Sequence, residues 1–296
     1  MIKEFSDGRI DAPDDERVLL GKTAIIAGSG QLPVTVAETL EKSGLIPFIV
    51  ALRGAADPRL FRFPHSQIAI VEFAKLIKIL KRQDIKNVVL AGGVRSRPHL
   101  SDLRFDLPTI KALPRLLYAL NAGDDALLRA FIKTLESYKF NVLGAHQVVP
   151  ELLAPRQQRL TEKQPSKADA HDIALAAKAA KVLGSLDIGQ GAVAIAGRVI
   201  AVEGAEGTDN MLKRICEMRS EKRVPQKGGV LVKCAKPSQE SRADLPTIGP
   251  KTIERLVECG LNGVAIEAEN SFILQSSETI TLANKYRIFI TTFSPD

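Results

Sequence analysis

TAIIAGSGQLPVTVAETLEKSGLIPFIVAL, residues 23–52, decides the fold. Residues 23–27 are a short apolar run of strand type, ended by Gly28-Ser29-Gly30-Gln31-Leu32-Pro33. An amphipathic run follows over 34–43 and closes at Gly44, and 47–52 is a second apolar run. Strand, glycine turn, helix and strand in that order begin a parallel α/β sheet. Adjacent glycines let backbone N–H groups approach a ligand at a helix N-terminus, where an anion is favoured. The dinucleotide fingerprint is incomplete. Pro33 stands where a third glycine is expected, and Arg53 where the second strand would end in an acid for the ribose hydroxyls. An NADP-type oxidoreductase is therefore hinted at only by Arg53, and a turn built for backbone geometry alone explains the glycines equally well.

Working outward, residues 65–82 read as a helix and 87–91 as a third strand, ending in Gly92-Gly93-Val94-Arg95-Ser96-Arg97. Two glycine-rich strand ends at one sheet edge form a place where open parallel sheets bind ligands. There Gly28, Ser29, Gly30, Gly92 and Gly93 are candidates to hold substrate, and Arg95 and Arg97 are candidates to meet phosphate. Helices are expected over 106–120 and from the acid pair Asp124-Asp125 to Tyr138, with a strand over 141–143 and His146 at its end. Residues 155–167 are polar and break the apolar rhythm, which makes them a linker. Ser166 and Asp169 then form a capping box for an alanine-rich helix. The expected organisation is an arm over 1–21, a Rossmann-like parallel-sheet domain over 22–154, and a separate α/β domain over 168–296 that carries the chemistry.

In the second half, Gly197-Arg198 reads as a hairpin turn. Beyond it Glu203, Glu206 and Asp209 lie on a glycine-spaced loop, offering oxygen ligands to a hard cation. Asp209 is equally suited to cap the helix that follows, and Glu203 reads first as a cap or a solvated acid. The stretch 231–250, LVKCAKPSQESRADLPTIGP, brings Lys233 and Lys236 ahead of a lone acid, Asp244, and a stiff proline-glycine segment, and taken alone it reads first as a solvated loop between a strand and a helix. Lysines beside carboxylates suit a substrate carrying a diphosphate, with Mg2+ on the phosphate oxygens.

The totals narrow the options. The chain has 296 residues, enough for two domains, and no uncharged run of the ~20 residues a membrane span needs. Aromatics make up 5% and tryptophan is absent, which disfavours a base-stacking surface. The net charge of +7 is uneven, with 8 Lys or Arg against 2 Glu over 210–236. Such a segment suits a phosphorylated substrate, an anionic lipid surface or nucleic acid. Cys216, Cys234 and Cys259 show no metal spacing and read as reduced cysteines of a cytoplasmic protein. No Ser-His-Asp or Cys-His motif points to acyl transfer.

IIAGSGQLP, VVLAGGVRSRP, LGAHQVVPELL, AVAIAGRVIAVEGAEGTDNML, GGVLVKCAKPSQESRADLPTIGP and GLNGVAIEA occur in this order. Together they resemble the UDP-2,3-diacylglucosamine pyrophosphatases of the LpxI type over about 23–293, most specifically in EGTD and DLPTIGP. The resemblance implies Mg2+-dependent hydrolysis of UDP-2,3-diacylglucosamine to UMP and 2,3-diacylglucosamine 1-phosphate, a step of lipid A synthesis. It implies a chain able to form a homodimer, without a nucleic-acid partner, and the basic segment adds the expectation of peripheral contact with the cytoplasmic face of the inner membrane. Asp244 falls on an aspartate the family needs for activity, and Glu206 and Asp209 match its acidic motif. Asp244, Asp209 and Glu206 are then the expected metal ligands, and Lys233, Lys236 and Arg198 the expected diphosphate contacts. The competing reading is a non-enzymatic module that binds a nucleotide or RNA through its basic segment.

Overall fold

The computed structural model describes residues 21–94, 124–156, 159–237 and 239–294. The arm over 1–20, Arg95, Arg97, the helix expected over 106–120 and Ser238 lie outside the described residues. The first half is a five-stranded parallel sheet in the order β3-β2-β1-β4-β5. Its strands are β1 (Lys22–Ala27), β2 (Phe48–Leu52), β3 (His65–Ile68), β4 (Ile85–Ala91) and β5 (Asn141–Leu143). Alternate residues serve opposite faces. Ile25, Ala27, Ile49, Val89 and Leu143 pack on the helix Leu32–Lys42 and on the 145–152 segment. Ala24, Ile26, Val50, Val88 and Val142 pack on the helices Phe73–Arg82 and Asp124–Ser137. Burial on both faces explains why β1, β2 and β4 read as continuous apolar runs.

The expected helix over 65–82 divides. Residues 65–68 pair with β2 as an edge strand, and the helix begins only at Phe73. The Glu72 carboxylate then accepts the Ala69 N–H at 2.7 Å, setting the turn between strand and helix.

The second half is a mixed sheet in the order β12-β10-β8-β6-β7. It is built from β6 (Gly191–Ile195), β7 (Arg198–Val202), β8 (Val230–Lys233), β10 (Gly263–Glu267) and β12 (Phe289–Phe293). A two-stranded pair, β9 (Thr247–Ile248) and β11 (Phe272–Ile273), lies beside it. The expected hairpin forms one residue earlier than read, at Ala196 and Gly197, which both have positive φ, and Arg198 is already the first residue of β7. One face, rich in alanine at Ala192, Ala194 and Ala265, takes the alanine-rich helix Lys167–Ser185. Its capping box forms as the sequence implies: Ser166 Oγ accepts the Asp169 N–H, and Asp169 Oδ2 accepts the Ser166 N–H. The other face takes the helices Gly207–Ser220, Pro250–Glu258 and Ser276–Lys285. From the polar 155–167 stretch, residues 159–161 run against β12, with Arg159 bridged to Thr291 and Leu160 packed on that core.

Cys216 and Cys259 are joined as a disulfide between two neighbouring helices, with their Cα atoms 4.9 Å apart. This corrects the expectation of three reduced cysteines. Partners 43 residues apart on different elements leave no spacing signal in sequence. Cys234 is buried and free, and burial pushes its thiol up to about 12. Among the described residues no helix is long and apolar enough to cross a membrane.

Candidate active site

The parallel strands of each sheet end at a carboxyl edge, and the loop over 234–246 runs from one edge to the other. It leaves the second sheet at Lys233, the last residue of β8, which pairs with Gly191 and Ile266. It reaches the first sheet at Arg242, whose Cα lies against Gly144 just beyond β5. Contacts to the first half hold the far part of the loop. The Glu240 N–H donates to Asp125 at 3.0 Å, Arg242 pairs with Glu136 at 2.7 Å, and Leu245 enters the core of the first sheet. Arg242 also pairs with Glu240 at 2.8 Å, and the hydrogen bonds it donates to that carboxylate raise its already high pKa further.

Asp244 sits where this loop turns back. Gln239 Nε2 donates to its Oδ2 at 2.8 Å and also reaches Gln190 Oε1 at 3.2 Å. The residue keeps surface open to solvent, yet protein crowds its carboxyl. That burial pushes its pKa above 3.8, and the charge of Glu203 adds to the shift. Lys236 and Lys233 oppose it. Lys233 is only 5% exposed, and its Nζ donates to the Thr247 carbonyl at 3.2 Å. Lys236 Nζ pairs with Asp187 Oδ1 at 2.6 Å, both side chains largely covered. Asp244, Lys233 and Lys236 are therefore brought together as the sequence suggests.

Other expected partners fall elsewhere. Arg198 pairs with Ile195, at the end of the hairpin that lies beside Val230, whereas Lys233 lies beside Gly191 at the opposite edge. It cannot share a diphosphate with the two lysines; sequence order hid this because an antiparallel hairpin reverses direction. Glu206 is exposed and pairs with Arg214 at 2.5 Å. Asp209 is exposed one turn into its helix, with Glu206 in the cap position, so it is not the cap. Its charge acts on Arg255. Neither Glu206 nor Asp209 is among the charges acting on Asp244, and no group of three or more His, Cys, Asp or Glu among the described residues could hold a metal.

The glycine turns face one another between β1 and β4, where the strand order of the first sheet reverses. The Ser29 N–H donates to the Gly93 carbonyl at 2.8 Å, the Gly93 N–H to Ser29 at 2.9 Å, and the Gly28 N–H to Ala91 at 2.9 Å. Those three donors are spent on the fold and are not offered to a substrate. A Cβ on Gly92 would lie 2.5 Å from the Ser29 carbonyl oxygen, so close approach of the two turns is what these glycines permit. Gly30 has φ +99° and open space around its Cα.

The eight basic residues of 210–236 do not form one face. Arg219 is buried and donates to the Gln226, Gly228 and Gly260 carbonyls, Arg214 and Arg223 are paired, and the charges of Lys233 and Lys236 act on Asp244. Sequence reasoning passed over Asp187. Only the structure singles it out: a left-handed residue, φ +56°, just past the helix Lys167–Ser185, at the position where glycine is usual.

Two family models cover the chain, the LpxI N-terminal domain over residues 22–152 and the LpxI C-terminal domain over 156–291. The chain is also 41% identical over 280 residues to a protein of Caulobacter vibrioides named UDP-2,3-diacylglucosamine pyrophosphatase LpxI, covering 93% of this chain and 98% of that one.

Proposed function

The chain belongs to the LpxI family, and on that premise we propose that it hydrolyses the diphosphate of UDP-2,3-diacylglucosamine, releasing UMP and 2,3-diacylglucosamine 1-phosphate with Mg2+ as cofactor. The observation that carries this reading is one crowded carboxylate, Asp244, set between two lysines on a loop that joins both sheet edges. Lys233 and Lys236 supply fixed positive charge to a bridging diphosphate. Asp244 orients a water towards phosphorus, with Gln239 fixing the carboxylate by its hydrogen bond to Oδ2.

The donor set fits a hard cation. Glu203 is close enough for its charge to act on Asp244, and Mg2+ is commonly held by one or two carboxylates, with phosphate oxygens and waters completing it. When bound, Mg2+ would neutralise phosphate oxygens and polarise the bridge. The test is release of UMP from UDP-2,3-diacylglucosamine by the purified chain. The account expects turnover that EDTA abolishes and added Mg2+ restores; no UMP at any Mg2+ concentration would overturn it.

A further inference from the structure

Glu203 follows β7 and continues its pairing, its N–H donating to the Gly191 carbonyl at 2.8 Å. Gly191 in turn lies opposite Lys233 on β6. Glu203 therefore sits at the sheet edge from which the Asp244 loop departs. The side chain is only 7% exposed. Its Oε1 accepts the Thr208 hydroxyl at 2.9 Å, while its Oε2 is buried with no hydrogen-bond partner. A buried carboxylate oxygen left without a partner is costly, and such an orphan asks for a ligand.

The backbone around Glu203 is shaped to admit it. A Cβ on Gly189 would collide with the Glu203 carbonyl, and one on Gly191 would lie 2.6 Å from Oε2. Between those glycines, Gln190 reaches the Gln239 amide nitrogen that also holds Asp244. A short chain of contacts thus ties the two carboxylates to one edge.

We propose that Glu203 and Asp244 are the paired carboxylate ligands of a divalent-cation site, that Thr208 fixes Glu203 for this role, and that Glu206 and Asp209 are not ligands. The acidic EGTD motif then contributes its threonine to the site rather than its acids. This inference rests on the hydrolytic reading for its biological cation, but its test does not.

Mn2+ alone is the probe, titrated into the full-length chain without substrate, with free Mn2+ read by electron paramagnetic resonance. Wild-type protein is expected to bind Mn2+, and Glu203→Gln to bind at least tenfold more weakly. Thr208→Val should weaken binding by a smaller factor, and Glu206→Gln and Asp209→Asn should match wild type. Circular dichroism checks each fold, and Glu203→Asp replaces the glutamine variant if that one does not fold. Unchanged binding in the Glu203 variant, loss confined to Glu206→Gln or Asp209→Asn, or no binding by wild type would each overturn the proposal. Binding that depends on Glu203 in a protein that releases no UMP would instead sink the hydrolytic reading and leave the cation site standing.

Discussion

Asp244 illustrates a residue placed against the interest of stability. Its carboxyl is crowded, and its pKa is raised above the unfolded value of 3.8. The folded state therefore holds this proton more tightly than the unfolded chain does. The stability so contributed is full below the unfolded pKa and is lost as pH rises through the raised folded value. Asp244→Asn removes that penalty, so in EDTA at neutral pH its Tm should exceed that of wild type while its turnover collapses. A Tm below wild type in thermal melts would contradict the assigned cause. Asp187 gives a second case. A left-handed non-glycine residue costs about 1–2 kcal/mol, and here its carboxylate holds Lys236. Asp187→Gly should recover roughly 1 kcal/mol of backbone strain, and both Asp187→Gly and Asp187→Asn should lower turnover by freeing Lys236. Urea melts paired with a UMP assay separate the two effects. Asp244, Lys233 and Lys236 were legible because a lone acid after two lysines in a proline-rich loop is an unusual pattern. Glu203 was visible only as one of three acids and read first as a cap or a solvated acid, because an oxygen that finds no partner is revealed by packing alone.

Among the elements, strands with both faces buried announced themselves as apolar runs, and the Ser166 cap needed only local chemistry. Edge elements did not. Residues 65–68 are half exposed and short, so their two-residue alternation was absorbed into the helical pattern that follows. The two glycine turns look alike in sequence but differ in demand. Gly92→Ala incurs the cost of φ +87° and also a collision with the Ser29 carbonyl, so it should destabilise by about 3 kcal/mol or more. Gly30→Ala meets open space and should cost only about 1 kcal/mol. Equal losses in denaturant titrations would refute the close-packed pairing of these turns as the reason for the glycines.

Taken as a whole, the molecule is two α/β layers that meet through the loop carrying Asp244 and through the β11 segment. Leu245, Phe272 and Leu274 come from the second half and pack into the core of the first. Leu245→Ala should therefore cost about 2–5 kcal/mol, and the two halves should unfold in one transition, which wild-type urea titration by fluorescence and circular dichroism would show as coincident curves. Sequence could assign the halves but not this junction, since the partners are about a hundred residues or more apart and no local pattern links them. The functional account depends on the junction, because it carries Asp244 between the two sheet edges. The most direct test is single-turnover hydrolysis of UDP-2,3-diacylglucosamine by Asp244→Ala beside a binding measurement on the same preparation. The account predicts substrate held with near wild-type affinity and UMP release reduced by about three orders of magnitude or more. Near-normal release by that variant would contradict it.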